Sequence, residues 1–141
     1  MSYISDQHDF LYDISETIRY ATIEGFMVTE GEFGRENEMQ LLYYYGFTIK
    51  EKNGTIELVK FKKRSKTKKS KHLVRRAADL HFFKDGFYIN GLTIPGTKKA
   101  DKARILGYLQ PVYDYFKALH PENRVGAEFK NFFDSPHFER R

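Results

Sequence analysis

The chain contains no cysteine and no tryptophan. Without cysteine there can be no disulfide, no thiolate-bound zinc and no cysteine nucleophile, so any metal would have to be held by His, Asp or Glu. No run approaches the roughly 18 apolar residues of a membrane span, and the N-terminus lacks the basic-then-apolar order of a signal peptide. These absences predict a soluble product made in the cytoplasm. At 141 residues the chain has the length of one domain. A domain of that size buries about two-thirds of its unfolded surface, enough for a core without staples.

What is present is unevenly placed. The net charge is +5, from 24 Lys and Arg against 19 Asp and Glu. Ten of those cations (Lys60, Lys62, Lys63, Arg64, Lys66, Lys68, Lys69, Lys71, Arg75 and Arg76) fall in residues 60–76, a segment with no acid. The remaining 14 cations are outnumbered by the 19 acids, so the basicity is one local patch on an otherwise acidic protein. Such a patch fits three roles: a solvated loop, attraction to an anionic cell wall, or contact with nucleic-acid phosphates. Thirteen Phe and ten Tyr predict a ring-rich core.

Periodicity predicts a helix over residues 10–23, with Phe10, Leu11, Ile14, Ile18 and Ala21 inward, Asp6 as N-cap and Gly25 as its stop. Phe26, Met27 and Val28 read as a short buried strand. Residues 35–45 read as a second helix, with Met39, Leu42 and Tyr43 inward and Gly46 ending it. Residues 47–61 alternate apolar and polar on both sides of Asn53-Gly54, the pattern of a β-hairpin closed by a type I′ turn. Residues 62–71 contain no apolar side chain and are expected as a loop. Residues 77–83 and 87–89 read as strands around a turn at Asp85-Gly86, with a further turn at Asn90-Gly91. Residues 98–119 read as a helix that Pro111 kinks or splits. An aromatic run over residues 129–138 closes the chain. Helices and hairpins interleave without a βαβ rhythm, which predicts an α+β fold with a small, mostly antiparallel sheet flanked by helices. There is no internal repeat and no linker, so residues 1–141 are expected as a single domain with the hairpin at 47–61 as an insertion.

Three residues could ligate a metal without cysteine: His72, Asp79 and His137. Two imidazoles and one carboxylate with an open fourth position are what catalytic zinc needs, because a water must bind there and lose a proton near neutral pH. Ser70 could support His72 from behind, and Asp134, three residues before His137, could accept the proton of that water. Spacing alone leaves chance occurrence of common residues open. Asp134 also fits a turn cap before Ser135-Pro136, and Arg35 a plain first-turn helix residue.

Ser70-Lys71-His72-Leu73-Val74-Arg75-Arg76-Ala77-Ala78-Asp79 resembles the Ser-x-His-x-x-Gly-x-Ala-x-Asp motif of the D-alanyl-D-alanine carboxypeptidase family of zinc peptidases, whose fold is shared with the hedgehog signalling domain. Asp134-Ser135-Pro136-His137-Phe138-Glu139 resembles the second motif of that family, in which an acid precedes the last zinc ligand by three residues. Gly31-Glu32-Phe33-Gly34-Arg35, followed by Leu42-Tyr43 and Gly46, is similar to the arginine-bearing segment of the family and the helix after it. The resemblance implies a hedgehog/DD-peptidase-like fold, Zn2+ as cofactor, and His72, Asp79 and His137 as its ligands. It implies Asp134 as the general base that passes its proton to the leaving amine, and Arg35 as the group that polarises the scissile carbonyl. By length the chain is most similar to phage-encoded members, which implies an endolysin acting on the peptidoglycan stem peptide. The bond would be L-Ala-D-Glu, with D-Ala-D-Ala as the alternative within the family and a basic nucleic-acid-binding protein as the alternative outside it. The enzyme would then work as a monomer, without nucleic acid, reaching the wall after release from the host cytoplasm.

Two departures stand out. Arg75 replaces the motif's Gly, and the hairpin at 47–61 separates the arginine helix from the first zinc motif. His8 and His120 have no partner at motif spacing. His81 shares a strand face with Asp79 and either lines the site or packs. Glu139 reads as an ordinary strand residue.

Overall fold

A computed structural model describes residues 3–31, 37–65, 67–68 and 76–141. The elements run in the order α1 (Tyr3–Ile23), β1 (Met27–Glu30), α2 (Asn37–Tyr45), β2 (Phe47–Lys52), β3 (Thr55–Lys60), β4 (Ala77–Lys84), β5 (Phe87–Tyr88), α3 (Lys102–Leu119), β6 (Asn123–Val125) and β7 (His137–Arg140). Strands β1, β4, β7 and β6 lie side by side in that order, each pair antiparallel, and β5 continues the β7 edge of β4. Strands β2 and β3 form a separate two-stranded sheet. The predicted α+β class with small antiparallel sheets is the one observed.

Alternation along β4 sorts the protein into two sides. Ala78, Leu80 and Phe82 are fully buried in the core with α1 and α3, so Ala77, Asp79, His81 and Phe83 face the other way. On β7 the same rule sends Phe138 and Arg140 towards the helices, and His137 and Glu139 to the face shared with Asp79. Phe138 is the hub of the ring-rich core. Its ring centroid lies 5.9 Å from that of Phe82, 5.7 Å from Tyr113 and 5.1 Å from Phe116.

Beside this apolar contact sits a buried polar knot. Arg140 pairs with Asp13 of α1, and its Nε donates to the Asn123 side-chain oxygen at 3.0 Å. The Asn123 amide in turn donates to Asp13 at 2.9 Å and to the Phe116 carbonyl at 3.0 Å. The knot ties α1, α3, β6 and β7 together with each donor matched to an acceptor, the condition under which buried charge is tolerated.

Several sequence expectations change on inspection. Helix α1 begins at Tyr3, so Asp6 lies within its first turn, where its charge favours the helix dipole, and is not the N-cap. Leu11 is exposed, while Phe10, Ile14 and Ala21 are buried. Phe26 is buried, but β1 is an edge strand with Met27 exposed. Helix α3 starts at Lys102, capped by Asp101, whose side chain accepts from the Arg104 N–H at 3.2 Å. It runs unbroken through Pro111. Pro111 and Gly107, the residue four before it, are both exposed, so the carbonyl that loses its donor is turned to water. The hairpin forms as expected, with Asn53 and Gly54 at φ of 51° and 78° as a type I′ turn requires. Arg35, Lys66, Lys69, Ser70, Lys71, His72 and Arg75 lie outside the described residues.

Replacing Arg140 by Met should cost about 3–5 kcal/mol, because Asp13 is left as a buried charge without its cation. Breaking the exposed Arg19–Glu16 pair on α1 should leave stability nearly unchanged. Urea unfolding of both variants checks the contrast.

Candidate active site

The antiparallel register of β4 and β7 sets Asp79 directly opposite His137. His137 Nδ1 lies 3.4 Å from Asp79 Oδ1 and 4.0 Å from Asp134 Oδ2. On the other edge of the ring, Nε2 lies 2.6 Å from Glu139 Oε1. One nearly buried imidazole is therefore ringed by three carboxylates. Burial opposes charge on His137, but its hydrogen bonds to Asp79 and Glu139 and the charge of Asp134 outweigh it, and its pKa rises from 6.5 to about 9. Burial likewise opposes the Glu139 carboxylate, yet His137 and Arg124 hold its pKa below the ordinary 4.5. A cation at the centre of this group is what the charges demand.

The turn that presents Asp134 and His137 is clamped on every side. The Asp134 N–H donates to the Gly126 carbonyl at 3.0 Å, and the His137 N–H to the Asp134 carbonyl at 3.2 Å. The buried Tyr113 hydroxyl donates to the Ser135 carbonyl at 2.9 Å. The Asn90 amide donates to the Ser135 hydroxyl at 2.9 Å, while its oxygen accepts from the Phe82 N–H on β4 at 2.7 Å. Gly126 leaves no room for a side chain. A Cβ there would sit 2.3 Å from the Asp134 carbonyl oxygen and 2.8 Å from the His137 Cβ.

His81, on the same face of β4 as Asp79, bonds through Nδ1 to the Tyr88 hydroxyl at 2.7 Å. Burial, then the charge of Asp79, raises the pKa of Tyr88. The Gly31 N–H donates to the Asp79 carbonyl at 2.7 Å, so the end of β1 lies beside Asp79. In the described part of the basic segment, Lys63 and Lys68 lie over the Tyr44 ring and Arg64 over Tyr43.

Of the residues singled out from sequence, the structure thus brings together Asp79, Asp134 and His137. His72, Ser70 and Arg35 lie outside the described residues. Among the described residues no group of three His, Asp or Glu is arranged to hold a metal; Asp79 and His137 make a pair. That pair fits zinc. Two ligands each about 2.0–2.1 Å from a tetrahedral zinc lie about 3.4 Å apart, the separation found between Nδ1 and Oδ1. Glu139 was missed in the sequence, although the signal was there: on a strand, residues two apart share a face, and a carboxylate beside a ligand histidine is a common support.

The family model described as D-alanyl-D-alanine carboxypeptidase matches residues 63–140, more than half of the chain. The chain belongs to this family. The matched span holds Asp79, Asp134, His137 and Glu139, and the family is one of peptidases. No curated protein matches the chain in sequence. Among solved structures it is similar to the Serratia marcescens L-Ala D-Glu endopeptidase ChiX, with a TM-score of 0.56 at 18% identity. The likeness covers 94% of this chain and 78% of that one, and at this identity it is a likeness of fold.

Two outcomes are expected. Gly126→Ala should displace Asp134 and His137 and weaken any metal binding that uses His137, as isothermal titration with zinc would show. The raised pKa of His137 means that the metal-free folded protein keeps a proton that the unfolded chain releases near pH 6.5. Its stabilising effect is complete below pH 6.5 and is lost as pH rises through about 9. Glu139, with its depressed pKa, stabilises above pH 4.5 and ceases to do so on acidification. Thermal melts in chelator should therefore fall in Tm from pH 6.5 to 9, and His137→Gln should flatten that slope.

Proposed function

We propose that the protein is a zinc-dependent peptidase that hydrolyses the stem peptide of bacterial peptidoglycan at the L-Ala-D-Glu bond, in the manner of a phage endolysin. The observation that carries this reading is the cross-strand pair Asp79–His137, spaced as two zinc ligands would be, with Asp134 beside it. His72 would complete the ligand set. Zinc in such a site supplies Lewis-acid polarisation and lowers the pKa of water to about 7.

The remaining chemistry belongs to the chain. Asp134 is more open to solvent than Asp79 or His137, so its carboxylate can meet a water that approaches the scissile carbonyl. It takes that water's proton as the oxygen bonds to the carbonyl carbon. When the C–N bond breaks, the same proton passes to the departing amine, which leaves a carboxylic acid and a free amino group. Arg35 would face the carbonyl oxygen and stabilise the negative charge that develops there. Tyr113 and Asn90 hold the turn on which Asp134 sits, so the base keeps its position through both transfers. The basic segment around residues 60–76 would draw the enzyme to the anionic wall. It would reach that wall after release from the cytoplasm of its host.

The family description favours a second bond within the same chemistry, D-Ala-D-Ala. Mass spectrometry of purified peptidoglycan after incubation distinguishes the two. A chelator-sensitive new amine at D-Glu supports the first reading, and release of terminal D-Ala supports the second. Asp134→Asn should bind zinc normally and lose at least about a hundredfold in turnover. Full activity of that variant would remove Asp134 from the role of base.

A further inference from the structure

The carboxylate that holds the far side of His137 is itself held. Glu139 Oε1 accepts from His137 Nε2, while its other oxygen, Oε2, receives Arg124 Nε and Nη2 at 2.5 Å each. Arg124 and Glu139 are direct cross-strand partners of β6 and β7, so the register fixes this contact as firmly as it fixes Asp79 against His137. The Glu139 side chain is only 6% exposed, whereas that of Arg124 is 43% exposed. The guanidinium therefore brings a compensating charge from the solvent side to a carboxylate that would otherwise be buried alone. Phe129 covers the arrangement, with its ring 5.6 Å from the His137 ring and 5.5 Å from the Arg124 guanidinium.

We infer that Glu139 and Arg124 are positioning residues for the metal centre, and that they act by fixing which nitrogen of His137 meets the metal. The inference rests on the reading of Asp79 and His137 as ligands. A neutral imidazole has one N–H and one lone pair. An anionic acceptor at Nε2 holds the proton there and so keeps the lone pair on Nδ1, the nitrogen that faces Asp79 and Asp134. The same bond prevents the ring from turning over, which would carry Nδ1 away from Asp79. It also makes Nδ1 a stronger donor, because the N–H on the opposite side is bonded to a full negative charge. Arg124 keeps Glu139 ionised and aimed, since a guanidinium on Oε2 leaves only Oε1 for the histidine.

Glu139 has no other assignment that fits as well. It lies on the opposite edge of the ring from Asp79 and Asp134, buried behind His137. It is therefore neither a base for an incoming water nor a ligand on the open side. A purely structural ion pair would call for no histidine between it and the site. Here the imidazole links the Arg124–Glu139 pair to Asp79 in one line of contacts running from solvent to the centre of the site.

The test is zinc affinity, measured by competition with a chromophoric chelator, together with the visible spectrum of the cobalt-substituted protein as a signature of ligand geometry. Glu139→Gln keeps the size and an acceptor oxygen but removes the charge, and should bind zinc about tenfold more weakly. Glu139→Ala should lose up to about a hundredfold and shift the cobalt bands. Arg124→Leu should weaken binding in the same direction by a smaller factor. If Glu139→Ala fails to fold, Glu139→Gln still decides the matter. Folded Glu139→Gln with wild-type zinc affinity and an unchanged cobalt spectrum overturns the inference. Wild-type protein that takes up no stoichiometric zinc, or zinc uptake untouched by His137→Ala, overturns the underlying ligand assignment instead.

Discussion

The site depends on the pairing of β4 with β7. Three residue pairs make up that contact: Ala77 with Glu139, Ala78 with Phe138, and Asp79 with His137. Because side chains alternate across a sheet, one register decides both what is buried and what is presented. With Phe138 and Leu80 in the core, Asp79 and His137 must meet on the opposite face. A slip of one residue would bury His137 and Glu139 among the phenylalanines and put Phe138 in the site. The aromatic core thus fixes, through the register, which side chains meet on the opposite face.

Charge then shapes the site. Asp79, Asp134 and Glu139 converge on one imidazole, and among the described residues the positive charges that answer them come from His137 itself and from Arg124. The nearby knot of Asp13, Asn123 and Arg140 sits on the other side of β7, so residues 137–140 alternate between two polar clusters and the aromatic core. Each cluster pins the strand from a different direction. A short strand of only four residues is held by ladders on both sides, from β4 and β6, and by the side chains of both its faces.

Local features were the ones legible in the sequence. The Asn53-Gly54 hairpin and the helical stripe of Phe10, Ile14 and Ala21 are written in short-range patterns, and both formed. Asp79, Asp134 and His137 stand in motifs whose order and spacing resemble those of a known peptidase family, and the structure brings the three together. What escaped was set by partners distant in the chain. Glu139 reads as a plain strand residue because Arg124, its cross-strand partner, reaches it only once β6 and β7 pair, although His137 two residues away already shares its face. Met27 reads as apolar and buried, yet β1 is an edge strand, and nothing local announces an edge. Pro111 predicts a kink or a split in α3; the helix is not split, and the exposure of Pro111 beside Gly107 lets it continue. The roles of His72, Ser70 and Arg35 rest on the resemblance, since those residues lie outside the described ones.

In the proposed function β4 and β7 together build a metal centre on Asp79 and His137 Nδ1. Anomalous diffraction at the zinc edge, from crystals grown with zinc, tests it most directly. A peak is expected about 2.0–2.1 Å from both His137 Nδ1 and an Asp79 carboxylate oxygen, with Nε2 still bonded to Glu139. A peak on Nε2, or one that leaves Asp79 and His137 empty and settles elsewhere on the molecule, would contradict it.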